Sequence, residues 1–394
     1  MRVGDDRRTA AVAGHGSGPV IDKKSDGTWL IRNFSLARQI LRSTHTRQAG
    51  FSAELWDYLP KSIKRPVIFL EGTVHNNMRK GTTRFFAPRA VAENYQAPMT
   101  ALSDRLVAGF VARGSADMDI LGLELAMTMT AQIVGLTESS IFGMARRLDR
   151  MSHPAMSKSN PFFGLATLLR GRWIAMMFWL CDVRPAVRSR RKKPREDVIS
   201  HLISLGYRDS EILSEASTYG PAGMATTREF MSVALWHLLD RPALKERFLA
   251  SSDEEKRSIL EEILRLEPVV SSIERRALDD IELHHDGEAV VVPKGTFIRI
   301  DTRAANHDES GAGACPFSLD PNRTVTTNMT RALLTFGDGI HRCPGSYVAL
   351  QESVIFLSKL LSVPNLRIAK APKLTFNPQV GYEIRQFKIT TEPP

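Results

Sequence analysis

Ten residues near the C-terminus, Phe336-Gly337-Asp338-Gly339-Ile340-His341-Arg342-Cys343-Pro344-Gly345, constrain this chain more than any other stretch. Gly337, Gly339 and Gly345 permit positive φ and close backbone approach, which a residue carrying a Cβ resists. They present one cysteine just ahead of residues 347–361, which carry the apolar pattern of a helix. Backbone N–H groups at the start of that helix would point at the sulfur, lower its pKa below the free value of about 8.5 and keep it anionic. A rigid loop offering one thiolate reads as a metal-ligand loop, with Phe336 covering the sulfur on the side away from the metal. Two other readings stay open on the residues alone. A lone cysteine is commonly a small buried apolar residue, and His341 with Cys343 could be half a zinc site. Cys181 and Cys315 form no pair at zinc-ligand spacing with Cys343 or with each other.

The loop resembles the haem-ligand signature of the cytochrome P-450 family, Phe-Gly-x-Gly-x-His-x-Cys-x-Gly, at every fixed position. The resemblance implies a mainly α fold with a small β subdomain, a triangular prism of helices enclosing the haem. It implies haem b (iron protoporphyrin IX) bound through Cys343, with Phe336, Gly337, His341 and Gly345 in the cofactor-binding loop. The implied activity is that of a soluble bacterial haem-thiolate monooxygenase, oxidising a hydrophobic small molecule in the cytoplasm. O2 would supply the oxygen, and a ferredoxin or flavodoxin with its reductase the two electrons.

Three further stretches extend the likeness. Residues 66–88 resemble the family's C-helix region, in which His75 and Arg79, at i and i+4, project together as a cationic pair suited to haem propionates. Residues 209–239 read as one long helix, with Asp209 or Ser210 able to cap its start. At its centre, Gly220-Pro221-Ala222-Gly223-Met224-Ala225-Thr226-Thr227 removes a backbone donor at Pro221 and a side chain at Gly223. This resembles the family's oxygen-binding motif, with Ala222 and Gly223 leaving room for the diatomic ligand and Thr226 bonding it or its water. The family usually has an acid directly before that threonine; here the position is Ala225. Either Glu229, four residues after Ala225 on the same face, stands in for it through water, or the protons come from the substrate. Finally, Glu262-x-x-Arg265 with Arg323 resembles the ion network that braces the cysteine loop, and Arg275 matches a propionate-binding arginine. Residues 269–273 and 378–382 fall where the family lines its substrate pocket.

Composition limits the alternatives. The chain has 394 residues, 43% hydrophobic and 24% charged, enough to bury a sizeable core. Residues 1–20 are expected to form a flexible leader, and residues 21–394 a single domain. Three cysteines without paired spacing argue for a reducing compartment. Residues 161–181 are apolar and aromatic but are interrupted by Arg170, Gly171 and Arg172, so no stable membrane span is expected. That stretch resembles the roof of the family's substrate pocket. The 53 Lys and Arg against 43 Asp and Glu leave a formal charge of +10, part of it in the run 184–195. No aromatics interleave there to stack bases, so a solvated loop is expected rather than a nucleic-acid site. The excess charge would also steer an acidic electron-transfer partner. Because Ala225 replaces the acid, chemistries that need none remain open within the fold: oxidative coupling, nitration, nitric oxide reduction or peroxide-driven oxidation. A non-catalytic haem sensor or carrier is a rival of another class.

Overall fold

A computed structural model describes residues 4–13, 18–50, 53, 64–152, 161–325, 328–377 and 381–392. At its centre runs the helix Asp209–Leu239. Neither Asp209 nor Ser210 caps it. The Glu211 carboxylate reaches back to accept from the Arg208 N–H at 2.8 Å, the return half of a capping box. This central helix packs antiparallel on Met118–Val134. Gly122 lies against Arg228 and Met231, and Gly223 against Thr130. Gln96–Arg113 and Met118–Val134 are separate helices, because Gly114 turns left-handed at φ 69 and the short strand Ser115–Asp117 intervenes. The helix Phe34–Arg42 starts where the Asn33 side chain accepts from Leu36 N at 3.0 Å.

The β part sits to one side. Five strands pair in the order Ile21–Lys23, Trp29–Ile31, Phe297–Asp301, Ser272–Ala277, Thr46–Ala49. Ile281–His285 and Glu288–Val292 form a hairpin whose turn, Asp286-Gly287, takes positive φ at both residues. A second hairpin, Lys373–Asn377 with Gly381–Arg385, leans on the central helix. One hydrophobic core lies among the helices, and a smaller one, containing Trp29, Ile40, Ile298 and Leu334, lies against the five-stranded sheet.

Two expectations meet a different arrangement. The basic run 184–195 is helical from Arg184 to Lys192 rather than a solvated loop. Arg190 is buried because it has acids to meet: it pairs with Asp197 and, at 3.1 Å, with Glu138. Within the stretch expected as a leader, Asp5 to Thr9 pack on the body. Asp6 accepts from Leu319 N at 2.8 Å and from Arg241 at 2.7 Å, and Thr9 is buried beside Glu267 and Arg303. Residues 1–3 and 14–17 of that stretch lie outside the described residues. No helix among the described residues is long and apolar enough to cross a membrane.

Glu262, on the helix Asp253–Leu266, is a fully buried carboxylate with several donors. It accepts from Arg265 at 2.8 and 2.9 Å, from Arg323 at 2.9 Å and from Asp320 N at 3.1 Å. Arg323 also donates to the carbonyls of Ala312, Ala314, Cys315 and Ser318. Arg323→Ala therefore takes one of two arginines from a buried carboxylate and leaves four carbonyls without this donor, and should cost about 3–5 kcal/mol in urea unfolding.

A second expectation concerns pH. His307 is buried and meets the Leu266 carbonyl at 3.0 Å; burial, then the charges of Arg265, Arg7 and Arg303, push it down to about 3. Between about pH 6.5 and 3 the unfolded chain thus binds a proton that the folded one refuses, so stability falls as pH falls through that window. His307→Gln should flatten the unfolding free energy against pH there by up to about 1.4 kcal/mol per unit.

Candidate active site

The cysteine loop is set by its backbone. Gly337 and Gly339 take φ of 70 and 68; a Cβ on Gly339 would sit 2.3 Å from the Leu41 carbonyl oxygen, so no larger residue fits. Asp338 accepts from Arg38 at 2.9 Å and Arg42 at 2.8 Å, tying the loop to the helix Phe34–Arg42. Cys343 N donates to the Phe336 carbonyl at 2.8 Å, closing the loop. Gly345 departs from the expectation of positive φ: it stands at −84, one residue before the helix Ser346–Leu361, and a Cβ there would make ordinary contact with Cys343 and Phe86. The Cys343 thiol also departs from expectation. Burial pushes its pKa up, and the amides of Gly345 and Ser346 with the charges of Arg79 and Arg342 do not bring it below the ordinary value. Although protein surrounds it, its side chain keeps an exposed surface, the arrangement of a thiol facing an internal space rather than bulk water.

Beside the loop, four nitrogen-bearing residues converge. His75 and Arg79 lie on Gly72–Thr83, Arg275 on Ser272–Ala277 and His341 in the loop itself. Arg79 donates to the Arg342 carbonyl. The His75 and His341 rings lie 4.4 Å apart, and buried His75 Nδ1 has no hydrogen-bond partner. Burial, then the neighbouring His341, pushes His75 down to about 4. Burial likewise lowers Arg275 to about 10, the attraction of Glu71 and Glu274 notwithstanding. The motif search missed two residues here, Glu71 and Gln48, which bond to His341 and Arg275. Glu71 falls within the quoted 66–88 stretch, but nothing in its local sequence marks it.

The central helix runs unbroken through Pro221. Ala222 is exposed although this helix lies at the middle of the fold, and the Thr226 hydroxyl donates to the Ala222 carbonyl at 2.7 Å. Gly223 faces the neighbouring helix: a Cβ would lie 2.3 Å from Thr130 Oγ1. Its missing side chain serves helix packing, a correction to the room-for-ligand reading. Glu229 needs correction too. It is fully buried, accepts from Ile384 N at 2.6 Å, and is paired with Arg228 at 2.9 Å and Arg385 at 2.6 Å. That carboxylate fastens the second hairpin to the helix and, buried between two arginines, is committed to tertiary structure rather than placed for a water relay. Another acid of this helix, Glu215, is less committed: one oxygen accepts from Val67 N at 2.8 Å, the other is unpartnered, and burial raises its pKa to about 8. Phe86 bridges helix and loop. It stacks on Tyr219 at 5.8 Å between centroids and lies 4.0 Å from where a Gly345 Cβ would be. Of the pocket stretches, Ile273 reaches within 3.8 Å of the equivalent point on Gly337. Residues 378–380 lie outside the described residues.

These features suit a haem. An accessible thiol, a buried histidine nitrogen without a partner, two guanidinium groups at one edge, and an exposed small residue on an interior helix match what an iron porphyrin with two carboxylates requires. The fold and sequence carry the same message, and the chain belongs to the cytochrome P450 family. The family model described as Cytochrome P450 matches residues 257–390. The chain is 26% identical over 313 residues to Cytochrome P450 CYP107DY1 of Priestia megaterium, covering 77% of this chain and 71% of that protein. It is 24% identical over 358 residues to Putative cytochrome P450 133B2 of Xylella fastidiosa, covering 88% and 84%. The crystal structure of CYP109B1 from Bacillus subtilis superposes with a TM-score of 0.77 at 19% identity, over 94% of this chain and 96% of that one. The protein is thus an oxidoreductase, a haem monooxygenase, and its family implies a cysteine-ligated haem, O2 and a redox partner.

The Gly223 contact makes a prediction. Gly223→Ala should destabilise the protein by about 1–3 kcal/mol through overpacking. In a Thr130→Ala background most of that loss should vanish, read as a coupling energy in a double-mutant cycle of urea unfolding.

Proposed function

We propose that this protein oxidises a hydrophobic small molecule, carrying haem b on the Cys343 thiolate. Electrons would come one at a time from a ferredoxin or flavodoxin with its reductase. The observation that carries this reading is Cys343, exposed as a residue though surrounded by protein, held in a loop closed by its own backbone and flanked by Arg79, His75, His341 and Arg275. Thiolate-bound haem supplies the oxygen activation, its electron-rich sulfur favouring O–O cleavage. The chain's own groups do the rest. Arg79 and Arg275 would hold the propionates by charge-assisted bonds, with His75 and His341 beside them. Phe336 would shield the sulfur. Because the Thr226 hydroxyl already donates to the Ala222 carbonyl, its oxygen is left to accept a hydrogen bond from a protonated ligand at that face. Ala222 and Ala225 present only methyl groups there. The apolar composition of Pro161–Phe178 supports the substrate class, and three free cysteines suit the cytoplasm.

A second reading follows from Ala225 together with Glu229. With no acid before Thr226 and Glu229 spent on Arg228, Arg385 and Ile384, protons must come by water or from the substrate. That favours chemistry that does not depend on the missing acid, such as peroxide-driven oxidation, oxidative coupling, nitration or nitric oxide reduction.

Turnover under labelled O2 with a reductase pair and a candidate substrate, found by haem spin-state shift, separates the two. Label in the product supports monooxygenation, while intact turnover without label supports the second reading. Cys343→Ser should abolish the red-shifted Soret band of the reduced carbonyl complex. Thr226→Ala should lower product formed per electron pair on the order of tenfold, as expected when a proton-handling group is lost; unchanged coupling would remove Thr226 from the proton route. A sensor or carrier would show the Soret band and no turnover with any electron donor.

A further inference from the structure

We propose that Glu71 is a positioning residue for the acidic edge of the cofactor: it orients His341 and adds a fixed negative charge beside the propionates, lowering the reduction potential of the iron. This rests on the haem reading above. Glu71 immediately precedes the helix Gly72–Thr83 and is held from two sides. Oε1 accepts from Gln48 N, on the strand Thr46–Ala49, at 2.6 Å, and Oε2 meets His341 Nε2 at 3.0 Å. Gln48 in turn accepts from Arg275 through its side-chain oxygen. The acid therefore joins two of the four groups assigned to the propionates, His341 directly and Arg275 through Gln48, and the ring of a third, His75, lies 4.4 Å from the His341 ring.

Two consequences follow from elementary chemistry. An ionised carboxylate only accepts, so the proton at this contact lies on His341 Nε2 and the ring cannot flip without losing the bond. Glu71 is ionised: burial pushes its carboxyl up, but the His341 and Gln48 donors outweigh burial and the net shift is downward. A carboxylate held in a partly buried site adds its potential to that of the two propionates. Negative charge near the porphyrin stabilises the more positive ferric state over the ferrous, by more than it would in water because the local dielectric is low.

The test is the midpoint potential of the ferric–ferrous couple, measured spectroelectrochemically on the holoenzyme. Glu71→Gln keeps the size of the side chain and one acceptor oxygen while removing the charge; its potential should shift in the positive direction. Glu71→Asp should return most of the way to the wild-type value. Glu93→Gln, at an exposed acid paired with Arg89, should leave it unmoved. If the wild type shows the thiolate Soret band and Glu71→Gln matches its potential within repeat error, Glu71 has no such role. A positive shift of equal size in Glu93→Gln would also overturn it, since the effect would then be one of overall charge. A wild type that takes up haem without the thiolate spectrum would sink the underlying haem reading, and this inference with it.

Discussion

The cysteine loop depends on a carboxylate that never approaches it. Glu262 is fully buried, and it is stable there only because Arg265 and Arg323 both donate to it. Their remaining donors collect backbone carbonyls from helix ends and loops, where no helical or strand partner satisfies them. Arg265 reaches Asn306 and Pro316, and Arg323 reaches Ala312, Ala314, Cys315 and Ser318. Asn306, fixed in this way, accepts from Leu334 N at 2.9 Å and donates to Thr335 Oγ1 at 2.8 Å, while Thr335 donates to Leu264 O. The next residue is Phe336, whose carbonyl holds Cys343 N. A continuous chain of bonds thus runs from one buried acid to the thiol, and each member satisfies a polar group that would otherwise be buried without a partner.

The central helix does three jobs with three of its sides. One packs on Met118–Val134, so closely at Gly223 that Thr130 excludes any side chain. A second turns Ala222 and Thr226 towards the site. A third, through Glu229, binds Arg385 and Ile384 of the second hairpin. The division of labour explains why the missing acid at Ala225 cannot be replaced from within the next turn: the carboxylate there holds tertiary structure. Freeing it would leave Arg228 and Arg385 without their shared partner in a buried place.

Much of this was legible beforehand, and the failures share a cause. The cysteine loop, the Glu262-Arg265-Arg323 set and the extent of the central helix are carried by residues whose meaning is local: glycines in a fixed order, i and i+3 charges, one long apolar periodicity. Gly223 and Glu229 were misread because their partners lie far away in sequence. Gly223 answers to Thr130, ninety-odd positions upstream, and Glu229 to Arg385, so spacing along one helix carried no trace of either. Glu71 was missed for the same reason: its meaning comes from Gln48 and His341, on two other elements.

Net charge was the least informative of the sequence-level quantities, and the structure says why. A formal +10 invites a picture of a basic surface. Yet Arg190, Arg265, Arg275, Arg303 and Arg323 are all nearly or fully buried, where their charge is spent on named acceptors. Arg190 meets Asp197 and Glu138, Arg303 lies against Glu267 and Thr9, and Arg265 and Arg323 share Glu262. An arginine that ties carbonyls and carboxylates together inside the protein contributes little to the field at long range, because its partners cancel it within a few ångströms. The field met by an approaching redox partner is set instead by the residues left outside, such as Arg342 at the cysteine loop and Arg188 and Lys192 on the helix Arg184–Lys192. Steering therefore has to be argued from where the exposed cations cluster rather than from their sum.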